Sequence, residues 1–165
     1  MKNTIILDNL QIAHRIRRIA YEIYESNVNE KQVILAGING NGYILAQRLA
    51  EQLQSISPIN VVLCEVIIDK KQPRELITTS IPVSEYQNTS LVLIDDVLHT
   101  GTTLIYGVKH FLEVPLTQFK TAVLVDRNHK RYPIKADYKG ISLSTSLNEN
   151  IAVKFTKDTA VALLE

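Results

Sequence analysis

Two adjacent carboxylates, Asp95 and Asp96, stand between an apolar run, Leu91 to Ile94, and the segment Val97-Leu98-His99-Thr100-Gly101-Thr102-Thr103. The apolar run reads as a buried strand, and helical spacing resumes from about Thr103 to Glu113. A turn that opens a helix presents unpaired N–H groups at the positive end of the helix dipole, a ready site for phosphate. Gly101 lets the backbone come close to such a group. Thr100, Thr102 and Thr103 add hydroxyl donors. Two carboxylates do not bind phosphate directly. They make sense if they accept bonds from sugar hydroxyls, or hold hydrated Mg²⁺ that offsets a pyrophosphate. The residues thus ask for a ligand with a phosphate, a diol and a metal. A strand end with two solvated Asp and a Thr-rich helix cap is the alternative, and it leaves the order of the whole segment unexplained.

The elements that must position this segment are legible by period. Asp8 to Ser26 reads as a helix, with Ile12, Ile16, Ile19 and Ile23 on one stripe and Asp8 with Gln11 as a capping box. Val33 to Ile38 reads as a buried strand, broken by Asn39-Gly40-Asn41-Gly42 and followed by Leu45, Ala46, Leu49, Ala50 and Leu53 at helical spacing. Val61 to Ile68 reads as the next strand, and Asp69 to Arg74, with Pro73, as a loop. Thr121 to Val125 reads as a strand, Asp126 to Pro133 as a polar, basic loop, and Ile151 to Phe155 and Ala160 to Leu164 as late strands. Strands that alternate with helices imply an α/β fold with a mostly parallel sheet covered on both faces. In such sheets, ligands bind at the carboxyl ends of strands.

Leu91 to Thr103 resembles the 5-phosphoribosyl-1-pyrophosphate (PRPP) motif of type I phosphoribosyltransferases: a hydrophobic strand, two acids and a Thr-Gly-x-Thr turn. The resemblance implies a single phosphoribosyltransferase domain over residues 1–165, with a small hood beside the sheet. It makes Asp95 and Asp96 the ribose acids, with any metal held indirectly through water. Asp95 to Thr103 becomes the PRPP site, with His99 to Thr103 as its phosphate loop. Asn39, Gly40, Asn41 and Gly42 take the position of the pyrophosphate loop. The chain is most similar to the bifunctional pyrimidine-operon regulator and uracil phosphoribosyltransferase family. That likeness rests on the opening IILDN, on the helix carrying RIA-E, on Ala122 to Tyr138 (AVLVDRNHKRYPIKADY) and on Thr145-Ser146. It implies Mg²⁺-dependent transfer from PRPP to a pyrimidine base, with uracil expected. Base contacts are expected from Asp126 and Arg127 and from backbone at Ile141, Ser142 and Leu143.

The departures carry chemistry too. Relatives place Thr-Arg where Gly40-Asn41 stands, and Arg where Thr102 stands. Each missing Arg removes a charge-assisted hydrogen bond to phosphate. Lys70, Lys71 or Arg74 is expected to compensate from the loop after the second strand, with Arg74 assigned a catalytic part. Binding of PRPP or nucleotide is therefore better supported than efficient turnover. His99 occupies the position where purine enzymes carry an Asp, which argues against a purine substrate. A nucleotide-sensing, RNA-binding regulator is the second reading, with Arg15, Arg17, Arg18, Lys154 and Lys157 as candidate contacts. A sensor without turnover is the third.

The length of 165 residues favours one domain with a sizeable core. From a formal charge of +1 no general polyanion-binding character follows, and a local basic patch could still bind RNA. The single cysteine, Cys64, lies in an apolar run and reads as a buried thiol. One Cys and four scattered His build no zinc set. No apolar stretch approaches the length of a membrane span, so a cytoplasmic protein is expected. Similar proteins assemble as dimers or larger oligomers, and a homodimer or larger homo-oligomer is expected on that ground alone.

Overall fold

The apolar runs of this chain are strands buried on both faces, as a parallel sheet between helix layers requires. A computed structural model describes residues 4–146 and 149–165. The elements are β1 (Thr4–Leu7), α1 (Asn9–Ser26), β2 (Gln32–Ile38), α2 (Asn41–Ile56), β3 (Asn60–Ile67), β4 (Thr78–Thr79), α3 (Val83–Tyr86), β5 (Ser90–Leu98), α4 (Thr102–Phe111), β6 (Gln118–Asp126), β7 (Tyr138–Ser142), β8 (Ile151–Phe155) and β9 (Ala160–Leu164). Six strands form the central sheet in the order β4-β3-β2-β5-β6-β7. All its pairs are parallel except β3 with β4. A separate antiparallel sheet has the order β1-β9-β8.

Strand alternation divides the core. Val33 and Leu35 of β2, with Val92 and Ile94 of β5, join the cluster under α1 and α2. Ile34, Ala36 and Ile38, with Leu91 and Leu93, join the cluster under α4. The isoleucine stripe of α1 is buried as its spacing predicts. Each such side chain contributes roughly 1.5–3 kcal/mol by leaving water. The capping box also forms: Gln11 N donates to Asp8 Oδ1 (2.8 Å), and Asp8 N donates to Gln11 Oε1 (2.9 Å). Cys64 is a buried free thiol.

Two connections set the position of the site. β2 leads through α2 outward to β3, and β5 leads through α4 the other way to β6. The two helices cover opposite faces, so the chain order reverses between β2 and β5, and a crevice opens there. The β2–β5 pairing ends at Gly37 and Ile94, whereas β5–β6 pairing continues to Leu98 and Asp126. From Asp95 onward, β5 is therefore open on its β2 side.

Several elements differ from the sequence reading. β5 extends to Leu98, because pairing with β6 carries it past the acids. Asp95 and Asp96 lie inside this strand, not beyond its end. β1, β4, α3 and β7 lacked a long apolar run, and β1, β4 and β7 are strands only because a neighbour completes their hydrogen bonds. The loop from Asp69 carries on to Ile77 before β4 returns antiparallel to β3.

Helix α2 reaches the sheet closely over Gly37. A Cβ there would stand 2.5 Å from Tyr43 Cα and 2.8 Å from Gly42 O, both backbone atoms of the α2 start. Backbone cannot yield as a side-chain tip can. Gly37→Ala is therefore expected to destabilise the protein by about 1–3 kcal/mol, in the range of overpacking effects. Urea denaturation checks this, and an unchanged midpoint would contradict the packing described.

Candidate functional site

Beside the acids of β5 lies an open cleft of about 270 Å³, lined by Lys70, by every residue from Asp95 to Leu104 and by Val123. Four elements meet in it: the end of β5, the start of α4, the loop after β3 and, through Val123, β6. Val97 and Leu98 offer only backbone to a ligand, because their side chains lie in the two core clusters.

The two acids differ sharply. Asp95 is 5% exposed, whereas Asp96 is half-buried. Burial pushes the Asp95 carboxyl up to about 7, and the neighbouring Asp96 charge adds to that; Lys70 pulls the other way. Asp95 Oδ1 accepts from Asp96 N (2.9 Å), and Lys70 Nζ stands 3.5 Å from the same oxygen. Asp96 Oδ2 accepts from Asn41 Nδ2 (3.0 Å), which also donates to Val153 O in β8 (2.8 Å). Asn41 thus ties one acid to the small antiparallel sheet.

At the start of α4, Gly101 has φ +85° and is the residue before the first helical turn. The first helical bond is Ile105 N to Gly101 O (2.9 Å), so the N–H groups of Thr103 and Leu104 precede the ladder. Thr102 N makes a long bond to Thr100 Oγ1 (3.3 Å), and the two Thr hydroxyls are 2.9 Å apart. N–H groups left free at a helix start can receive an anion. The turn geometry also corrects one inference: a Cβ on Gly101 would strike Ile134 Cγ2. The bare face of Gly101 is filled by the chain's own loop, so its glycine serves the turn and that packing. Arg131 N (2.8 Å) and Tyr132 N (3.2 Å) both donate to Thr100 O, which holds the loop over the turn.

Burial holds the His99 imidazole below its usual value; the Arg127 charge acts the same way and Asp96 opposes it. His99 therefore faces the cleft as a neutral ring near pH 7. Asp126, the last residue of β6, is fully buried and paired with Lys130 (3.3 Å) and Lys139 (3.5 Å). Arg127 donates to Thr145 Oγ1 (2.6 Å) and to Ser146 O (2.9 Å). Leu143 N donates to Asp126 O (2.8 Å), and Ser142 pairs with Asp126 across β6–β7. These expected base contacts form a group of their own at the end of β6, outside the lining of the acid cleft. Ile141 packs against the core.

In the turn after β2, Asn39 is engaged at both ends. Its N donates to Val66 O (2.8 Å), and its Oδ1 accepts from Ile68 N (3.2 Å). Gly40 has φ +86° and precedes α2, and Gly42 lies within that helix beside Asp95. The three candidate cations part company. Lys70 lines the cleft, whereas Arg74 lines a separate hollow with Tyr106, Lys109 and Glu113 on the outside of α4. The sequence reading assigns the catalytic part to Arg74, which lies outside the cleft, and nothing in the sequence sets Lys70 apart. Asn41's bridge to β8 and the loop packed on Gly101 have no sequence signal either, because both partners are distant in the chain.

Among the described residues, no group of three or more His, Cys, Asp or Glu could hold a metal ion. Asp95 and Asp96 are hard oxygen donors, and Mg²⁺ binds by few carboxylates together with water and phosphate oxygens. The residues fit an ion that arrives with its ligand. No described helix is long and apolar enough to cross a membrane.

A family model described as a phosphoribosyl transferase domain matches residues 2–159. The chain is 37% identical over 162 residues to the bifunctional protein PyrR of Streptococcus thermophilus, covering 95% of this chain and 92% of that one. It is 36% identical to the bifunctional protein PyrR of Streptococcus mutans, covering 95% and 91%. Its fold matches the hypoxanthine phosphoribosyltransferase of Trypanosoma cruzi with a TM-score of 0.80 over 96% of this chain and 95% of that one, at 17% identity. A hypoxanthine-guanine phosphoribosyltransferase from Bacillus anthracis matches at 0.72 over 87% and 85%, at 13% identity. At these identities the solved structures speak for the fold alone.

The raised Asp95 carboxyl has a consequence for stability. Between its ordinary value of 3.8 and about 7, the folded protein keeps a proton that the unfolded chain has released. Stability contributed by this group therefore falls as pH rises through that window, and stays low above it. Asp95→Asn removes the titration and keeps an oxygen that can accept from Asp96 N. The variant is expected to be more stable than the parent at pH 8, by a few kcal/mol at most, with the gap closing towards pH 4. Thermal melts of both proteins across pH 4–8 check this, and a gap that widened towards acid would contradict the burial effect.

Proposed function

The chain belongs to the phosphoribosyl transferase family, in its PyrR branch, and on that premise we propose that it transfers the 5-phosphoribosyl group of PRPP to a pyrimidine base, with uracil as substrate and UMP and pyrophosphate as products. The observation that carries this reading is the placement of Asp95 and Asp96 beside the open α4 turn, at the point where the sheet reverses. Ribose hydroxyls donate to the two carboxylates. The 5′-phosphate sits on the N–H groups and hydroxyls of Thr100 to Thr103, where the helix dipole favours an anion. That leaves C1′ and its pyrophosphate towards β2 and the Asn39–Gly42 turn. Mg²⁺, when bound with PRPP, offsets the pyrophosphate charge.

The chemistry asked of the protein is positioning and charge stabilisation. The bond from C1′ to pyrophosphate breaks, and a bond from C1′ to the base nitrogen forms. Charge develops on the sugar ring and on the leaving group, so fixed groups aimed at both sites lower the barrier. No side chain of the cleft need become covalently attached. The group at the end of β6, Asp126 and Arg127 with the backbone of Ile141 to Leu143, is the proposed base end. Support for a pyrimidine comes from the likeness of Ala122 to Tyr138 to the PyrR stretch, and from a neutral His99 where purine enzymes carry an acid.

The relatives' shared name, bifunctional protein PyrR, supports a second reading: a regulator that also binds RNA, with PRPP and UMP as opposing effectors. The geometry favours it less. Arg18 donates to Lys139 O (2.5 Å) and Gly140 O (2.8 Å), which blunts the edge strand β7. Lys154 pairs with Glu165 (3.5 Å), and Arg17 lies over the Tyr21 ring. Lys157 shares its hollow with Glu51 and Asp158, so that surface is of mixed charge. RNA binding in the presence of UMP, titrated with salt, tests this reading, since phosphate contacts weaken steeply as salt rises.

Product formation with uracil, hypoxanthine, guanine and adenine at equal concentration tests the enzyme. Uracil is expected to be the best substrate. A purine turned over faster than uracil would overturn the pyrimidine assignment. Asp95→Asn combined with Asp96→Asn is expected to lower PRPP affinity at least about tenfold, the loss of one or more charged hydrogen bonds. Calorimetric titration of the folded variant measures this, and normal PRPP affinity would remove the acids from the site.

A further inference from the structure

We infer that Lys70, which stands beside Asp95, is the residue that brings positive charge to the pyrophosphate in this site. The inference rests on the reading of the cleft as a PRPP site and names the group that handles its leaving end. The turn after β2 carries Asn41 and the start of α4 carries Thr102, and neither side chain is charged. The Asn41 carboxamide is already bonded to Asp96 and Val153. Among the described residues that line the cleft, Lys70 is the one Lys or Arg.

Its placement suits the task. The loop that carries it leaves β3, and its base is pinned to the turn after β2 by Asn39, through Val66 O and Ile68 N. Lys70 therefore crosses the end of β2, the side of the acids opposite the α4 phosphate turn. This is where a group attached to C1′ must lie if the 5′-phosphate occupies that turn. Lys71 and Arg74 belong to the same loop and do not line the cleft; Arg74 lies over the outside of α4.

The contact with Asp95 is loose. At 3.5 Å it is longer than a charge-assisted hydrogen bond of about 2.7–2.9 Å, and the Lys70 side chain is 47% exposed. Such a pair is weakly held and easily exchanged. Beside Asp95 it offsets part of the charge of two adjacent carboxylates. When ribose hydroxyls reach those carboxylates, they replace the ammonium as donors. A pyrophosphate carries more charge than one carboxylate, so the freed Lys70 moves to it. Lys70 acts on the leaving group, and the acids hold the sugar.

Calorimetric titrations of PRPP, of magnesium pyrophosphate and of ribose 5-phosphate, against the parent, Lys70→Met, Lys70→Arg and Lys71→Met, test this. Lys70→Met is expected to lose about tenfold or more in affinity for PRPP and for magnesium pyrophosphate, the effect of one charged hydrogen bond. Its affinity for ribose 5-phosphate, which has no pyrophosphate, is expected to stay within about twofold. Lys70→Arg restores pyrophosphate binding, and Lys71→Met leaves all three ligands unchanged. A Lys70→Met protein that binds magnesium pyrophosphate like its parent overturns the inference, as does one that loses ribose 5-phosphate equally. A parent protein that binds neither PRPP nor ribose 5-phosphate overturns the reading of the cleft itself, and this inference with it.

Discussion

A buried carboxyl beside a second carboxyl is the constraint around which this molecule is arranged. Asp95 is nearly sealed from water and has Asp96 next to it, a combination that disfavours its charged form. A protein selected for stability alone would place an apolar residue there. The surrounding structure instead supplies partial relief from several directions: the Asp96 N–H, the Lys70 ammonium and, for Asp96, the Asn41 carboxamide. None of these relieves the pair fully. The site is left with unmet demand for hydrogen-bond donors.

The same constraint explains why the strand and both helices are placed as they are. β5 remains paired to β6 through Leu98, so the acids stand on a rigid strand and not on a loop. Its other edge is open because β2 turns away after Gly37 into α2. Helix α2 can start that close to the acids because Gly37 and Gly42 have no side chain to obstruct it. On the far side, α4 begins three residues past the strand and aims its N-terminus into the same crevice. One reversal of strand order thus brings the two acids and the start of α4 to a single cleft.

Two distant parts of the chain close over this centre. The antiparallel sheet β1-β9-β8 is joined to it by Asn41, whose carboxamide holds both Asp96 and the Val153 carbonyl. Arg48 adds a second tie, donating to Thr156 O (2.8 Å) and Thr159 O (3.2 Å) in the β8–β9 hairpin. The loop after β6 packs on Gly101 through Ile134 and binds Thr100 O through Arg131 and Tyr132. A change at the Thr100-Gly101 turn therefore has a mechanical path to the loop that follows Asp126 and Arg127.

The sequence alone determined whatever depends on neighbours a few residues apart. Periods of two and of three to four marked the buried strands and the α1 stripe, Asp8 and Gln11 marked a cap, and Asp95 to Thr103 marked two acids followed by a helix start. These signals are local, since side-chain direction along a strand or helix follows from backbone geometry. Tertiary structure decided what depends on residues far apart. Short strands β1, β4 and β7 acquire their state from pairing partners, and β5 gains the acids because β6 extends alongside it. Arg18, legible only as a surface charge, caps the edge of β7 through carbonyls more than a hundred residues away. Lys70, Lys71 and Arg74 lie within one short loop, and the sequence reading favours Arg74 among them. Only the path of their loop across the end of β2 separates the one that reaches Asp95 from the one that lies over α4, because a side chain's reach is set by where its backbone is anchored.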